Sequence, residues 1–150
     1  GPMATVAGAT ADLVSKDLLE LSKEVIVENG GDIYLASSKE RTIGIYAGDS
    51  PLSLKIGIVI SPDETPLGVC TSSGTVGPSL SFGKANAVCI ISKSSAFADA
   101  AATAVGNVVK EKKDISLGLA KAREIDGVLG TLIIIEEKMG VWGKIRLTRI

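Results

Sequence analysis

Ala87-Val88-Cys89-Ile90-Ile91-Ser92-Lys93-Ser94-Ser95-Ala96-Phe97-Ala98-Asp99-Ala100-Ala101-Ala102-Thr103 decides how this chain folds. Its first five residues form a continuous apolar run, the pattern of a strand buried on both faces. Ser94 or Ser95 can then cap a helix running to about residue 109. A buried strand feeding directly into an Ala-rich helix implies a sheet with helices packed on it.

Working outward, residues 115–124 read as a shorter helix. Residues 128–135 and 141–147 read as paired strands, with Met139-Gly140 between them. The charged run 110–114 reads as a solvated helix end and loop. Towards the N-terminus, 54–60 and 41–47 read as strands separated by Gly48-Asp49-Ser50-Pro51. Residues 25–28 and 33–36 read as two short strands around the turn Asn29-Gly30-Gly31-Asp32. Residues 3–23 place Val6, Leu13, Val14, Leu18 and Leu21 at roughly helical spacing. The expected fold is α/β in the α+β sense. It is one domain over 1–150, with a mixed, largely antiparallel sheet covered by the 3–23 and 95–109 helices.

Composition narrows the function classes. A net charge of −1 gives no nucleic-acid footprint and no polybasic membrane patch. Aromatic residues make up 3% of the chain, too few for a base-stacking surface. Histidine is absent, which excludes a histidine base and histidine-ligated zinc within this chain. Cys70 and Cys89 are too far apart for a CxxC pair, and both follow a valine in apolar runs. Buried thiols in a reducing, cytoplasmic compartment are the expectation. No apolar run reaches membrane-spanning length, and no signal peptide is visible.

Two blocks carry the candidate chemistry. The segment Gly68-Val69-Cys70-Thr71-Ser72-Ser73-Gly74-Thr75, continuing to Lys84, is crowded with hydroxyls and small residues. A loop of free amides can hold phosphate oxygens, although a strand end followed by a turn has the same composition. Asp99, Thr103 and Asn107 fall at i, i+4 and i+8 on one helical stripe beside Ala102 and Gly106. A carboxylate with a neighbouring hydroxyl suits a hard cation that bridges phosphate oxygens. An acidic residue favoured by the helix dipole is the alternative, and the stronger one from the helix alone. The Asn29–Asp32 segment reads as a hairpin turn, or as backbone approaching a ligand with Asp32 in contact. Cys70 is a nucleophile only if a cationic neighbour such as Lys84, or a helix dipole, lowers its pKa; an inert thiol is the simpler reading.

The blocks Asn29-Gly30-Gly31-Asp32-Ile33, Thr71-Ser72-Ser73-Gly74 and Ala98-Asp99-Ala100-Ala101-Ala102-Thr103-Ala104 occur in the order seen in the ApbE superfamily of FAD-dependent FMN transferases. The wording of 68–75 and 79–84 is similar to one branch, an ApbE-like family of archaea and anaerobic bacteria. Gly1-Pro2-Met3-Ala4 with Val6-Ala7-Gly8-Ala9 is similar to that branch too. The resemblance implies magnesium at Asp99 and Thr103. It implies a flavin or adenine nucleotide, FAD or a relative, at Gly30, Gly31, Asp32, Thr71, Ser72, Ser73 and Gly74. It also implies a role in anaerobic sulfur assimilation through homocysteine synthesis.

Two departures stand against flavinyl transfer. Ala7 occupies the lysine of the transferases' Lys-Gly-x-x-x-Asp segment, and no histidine follows the TS-G loop; Pro78 stands where the branch has one. Cys70, Asp12 and Asp32 are the remaining catalytic candidates. A non-catalytic nucleotide-binding or scaffold protein is the alternative. Family members are longer, so the chain is expected to be a C-terminal portion that self-associates or binds a complementing segment. Gly1-Pro2 reads equally as a protease scar or as native sequence.

Overall fold

The computed structural model describes residues 2–76 and 83–150, so 77–82 of the Thr71–Lys84 block lie outside it. A 3-10 turn over Pro2–Thr5 leads into α1 (Val6–Leu18). Then come β1 (Val25–Asn29), β2 (Asp32–Ala36), β3 (Arg41–Gly44), β4 (Ile56–Ile60) and β5 (Leu67–Ser72). These are followed by β6 (Ala87–Ser92), α2 (Ser95–Gly106), α3 (Ile115–Glu124), β7 (Val128–Ile135), β8 (Lys138–Gly143) and β9 (Leu147–Arg149).

A six-stranded sheet has the order β1-β2-β5-β6-β7-β8, and a three-stranded sheet has the order β3-β4-β9. Every pairing is antiparallel, so the expected fold class holds without any parallel pair among the described strands. The helices cover one face of the large sheet and the small sheet covers the other. Val88, Ile90 and Ile133 point into the helix-side core with Ala98, Ala102 and Val105. Their strand neighbours Ala87, Cys89, Ile91, Leu132 and Ile134 point into the other core with Ile45, Ile58 and Ile60. A strand covered on both faces is apolar at most positions, which is why residues 87–91 of β6 read as one apolar run and β7 as a run broken only at Gly130-Thr131.

The structure departs from the sequence expectations in several places, among them the expected 141–147 strand, whose ends divide between β8 of the large sheet and β9 of the small one. The N-terminal helix ends at Leu18 rather than residue 23. Its large apolar residues also face outward: Leu13 is 67% exposed and Val6 49%, while Gly8, Ala11 and Ser15 are buried. The inner face must be narrow because α2 lies against it; a Cβ on Gly8 would stand 2.3 Å from the Ser95 carbonyl oxygen. The stretch around Cys70 is a full central strand, with Asp32 opposite Cys70 and Thr71 opposite Cys89. The last hairpin turns at Glu136-Glu137, two residues before Met139, because Glu136 takes a left-handed φ of 52°. Its backbone is fixed by Asn86 Oδ1, which accepts the Glu136 amide, and by the Ser50 hydroxyl, which donates to the Glu136 carbonyl.

Candidate functional site

The hairpin between β1 and β2 closes with Gly30 and Gly31 at φ of 64° and 96°, the left-handed pair that a two-residue turn demands. This register puts Asp32 first on β2, hydrogen-bonded across to the end of β5. Thr71 and Ser72 end β5, and Ser73 follows it. The side of α2 nearest this corner carries Asp99 and Thr103, and Ala7 arrives from α1.

Gly30, Gly31, Asp32, Thr71, Ser72, Ser73, Asp99 and Thr103 all line one cavity of about 520 Å³. Gly74, Asp12 and Cys70 are not among its lining residues. An apolar part of the lining comes from Ile43 of β3 and from Ile45 and Tyr46 just after it, with Ile33 of β2 and Val69 of β5. Tyr46 is 58% exposed there. Sequence reading missed this wall, because its residues read as ordinary strand positions.

The electrostatics are one-sided. Glu28, Asp32 and Asp99 line the cavity, and none of the sixteen lysine and arginine side chains does. Asp32 is 7% exposed, and burial raises its carboxyl to about 7, with the Asp99 charge second. Burial also raises Asp99, offset by the Gly8 amide and by a hydrogen bond with Asp32. Two facing carboxylates in a buried corner share a proton or hold a cation. Among the described residues no cluster of three or more Asp, Glu, Cys or His forms a protein cage for a metal. Two carboxylates and the Thr103 hydroxyl are instead a donor set for an oxygen-seeking ion that keeps water and phosphate as its other ligands.

The hydroxyl-rich turn is less open than its composition suggests. The Gly74 amide donates to the Ala85 carbonyl at 2.9 Å. The Thr75 and Val76 amides donate to the Ser73 hydroxyl at 3.1 and 3.0 Å. Three amides that could have cradled phosphate are spent on the turn itself. Cys70 is fully buried, and its thiol donates to the Ser95 carbonyl at 3.2 Å. Burial and then the Asp32 charge push that thiol's pKa up, the opposite of what a nucleophilic thiolate needs. Lys84 does not reach the cavity. Both carboxylate oxygens of Asp12 are engaged at the start of α2.

The profile of the family described as AbpE bacteria matches residues 1–140. The chain belongs to that ApbE-like family. It is 46% identical over 150 residues to the UPF0280 protein MJ1526 of Methanocaldococcus jannaschii, covering 97% of this chain and 61% of that protein. It is 44% identical over 154 residues to a UPF0280 protein of Methanosarcina acetivorans, covering 99% and 60%. The chain therefore spans about three fifths of the length of the curated relatives it matches. In fold, the family member resembles the apo Pseudomonas stutzeri flavinyl transferase ApbE. That match has a TM-score of 0.63 at 22% identity, over 93% of this chain and 46% of the transferase. The flavin transferase ApbE of Vibrio cholerae matches with a TM-score of 0.60 at 18% identity, over 93% and 48%. No helix among the described residues is long and apolar enough to cross a membrane.

Proposed function

We propose that this chain binds a flavin or adenine nucleotide, with FAD as the leading candidate, through a magnesium ion at Asp99 and Thr103. The reading is carried by one observation: carboxylates and hydroxyls from four elements converge on a cavity that no basic side chain enters. A diphosphate cannot sit beside Asp32 and Asp99 without a cation between them. Magnesium needs only a few protein oxygens, and phosphate and water complete its shell. Thr71 to Ser73 and the Gly30-Gly31 backbone lie beside that position. The apolar wall at Ile43, Ile45 and Tyr46 suits the ring system of such a ligand.

Calorimetry with FAD and with ADP, each with and without magnesium, tests this reading. Wild type should bind only with the metal, and Asp99→Ala should abolish that binding while staying folded. Equal affinity with and without magnesium, in both proteins, sinks it.

A second reading is FMN transfer, favoured by the flavin transferases that share the fold. Asp32 is its best base, since a carboxyl titrating near neutrality suits proton abstraction. Ala7 and the lack of histidine weigh against the chain performing the transfer alone. Incubation with FAD, magnesium and an acceptor protein carrying the transferase target motif should leave the acceptor unmodified by mass spectrometry. A scaffold role with a vestigial site predicts no nucleotide binding at all. The two buried free thiols fit a reducing, cytoplasmic setting. The homocysteine association rests on family resemblance, and no group in the cavity supplies sulfur chemistry.

A further inference from the structure

Helix N-termini leave amides without intrahelical partners, and a neighbouring side chain usually satisfies some of them. Here each of two helices is served by a carboxylate of the other. Thr5, at the start of α1, makes no side-chain cap bond. The amide of Gly8, in the first turn, donates instead to Asp99 Oδ2 of α2 at 3.0 Å. At the start of α2, Ser94 accepts the Phe97 amide through its own hydroxyl at 3.2 Å. The Ser95 and Ala96 amides then go to Asp12 Oδ1 and Oδ2 of α1 at 2.9 and 3.0 Å, and the Ser94 hydroxyl donates to Asp12 Oδ2 at 2.8 Å.

The bonded residues share one spacing. Gly8 and Asp12 are four apart on α1, as are Ser95 and Asp99 on α2, so one stripe faces the other. The bonds run in opposite senses along the seam. Sliding either helix by one residue breaks both groups together. Because Ser94 already caps α2 locally, Asp12 is not needed to start that helix. What it adds is a tether at fixed register.

We propose that Asp12 is a positioning residue for the metal carboxylate: by gripping the start of α2 it sets where Asp99, and Thr103 one turn on, stand over the cavity. This rests on the magnesium reading above. The Gly8 amide bonds Asp99 directly and Asp12 holds the helix that carries it; such outer groups that orient a ligating residue tune metal affinity, with losses of about 10–100-fold on their removal.

The test is manganese binding by electron paramagnetic resonance, without nucleotide, on the folded protein well below each variant's melting midpoint. Asp12→Ala should weaken manganese at least tenfold. Asp12→Asn keeps an oxygen for the Ser95 amide and should recover most of that loss. Ile133→Val, a purely packing change, should lower the midpoint and leave manganese affinity unchanged. If Asp12→Ala does not fold, Asp12→Ser replaces it. Wild-type affinity in Asp12→Ala (or Asp12→Ser), together with lost binding in Asp99→Ala, overturns the positioning role alone. No manganese binding by wild type overturns the metal reading and this inference with it.

Discussion

β7 and α1 both carry large apolar side chains, and they use them in opposite ways. In β7, Leu132, Ile133 and Ile134 are fully buried between the helices and the small sheet. In α1, Leu13 and Val6 face outward, the buried face carries Gly8, Ala11 and Ser15, and Gly8 and Asp12 make the contact with α2. One element is held by the volume it fills and the other by how little it fills. Volume filling secures the fold. The close seam, with no room for a methyl group, fixes the side chains that line the cavity.

The sharpest way to break this comparison is one chemical change made in both elements. Leu132→Ala should cost about 2–5 kcal/mol, the range for truncating a buried leucine. Leu13→Ala, at 67% exposure, should stay within about 0.5 kcal/mol. Urea unfolding of both variants measures the gap, and similar losses would mean that α1 is covered in solution.

The next effect is electrostatic. The folded state holds a proton on Asp32 up to about pH 7, whereas the unfolded chain releases it near the ordinary carboxyl pKa of 3.8. The folded state binds more protons in that window, so stability should fall as pH rises from about 4 to 7. The loss should reach a few kcal/mol, at roughly 1.4 kcal/mol per pH unit. Asp32→Asn should flatten the slope, and millimolar magnesium should restore stability at pH 8. Denaturant midpoints across pH that do not move would refute the buried pair.

Gly8→Ala sharpens the seam half of the comparison. The added Cβ meets the Ser95 carbonyl oxygen at 2.3 Å and the Asp99 Cβ at 2.9 Å, so the helices must part. A cost of about 1–3 kcal/mol is expected. The diagnostic result is loss of magnesium-dependent nucleotide binding at a temperature where the variant is folded.

The smallest effect on stability belongs to the outward face. Leu13→Lys with Leu21→Lys should change the unfolding energy by less than about 0.5 kcal/mol. We expect wild type to self-associate through this face, beside exposed Ile26 on the edge strand β1, and the double variant to stay monomeric. Sedimentation velocity at high concentration decides it; a monomeric wild type counts against the idea.

These contrasts follow what was legible in the sequence. β6, β7 and α3 could be read because burial on both faces, or a clean helical stretch, leaves a mark in adjacent residues. β5 could be read only as one of two alternatives, a strand end or a loop, because its Gly68, Thr71 and Ser72 suit either. Gly68 is there because the start of α2 rests on it; a Cβ would lie 2.5 Å from the Ser95 Cα. The inward face of α1 was misjudged for the same reason, since pattern reading rewards large side chains and the seam needs small ones. Asp99 and Thr103 shared a helical stripe in the sequence, but that spacing alone favoured a dipole-stabilised acid, and the family resemblance carried the metal expectation. The Asp12 tether spans more than eighty residues of sequence, and only the crossing of two helices brings its ends together.

A cavity walled by acids and reached by no base also sorts its solutes by speciation. Uncomplexed nucleotide approaches a like-charged wall, while the same molecule carrying magnesium arrives close to neutral. On the proposed magnesium reading, occupancy follows the product of two concentrations, and a chelator is expected to empty the protein without removing any nucleotide from solution.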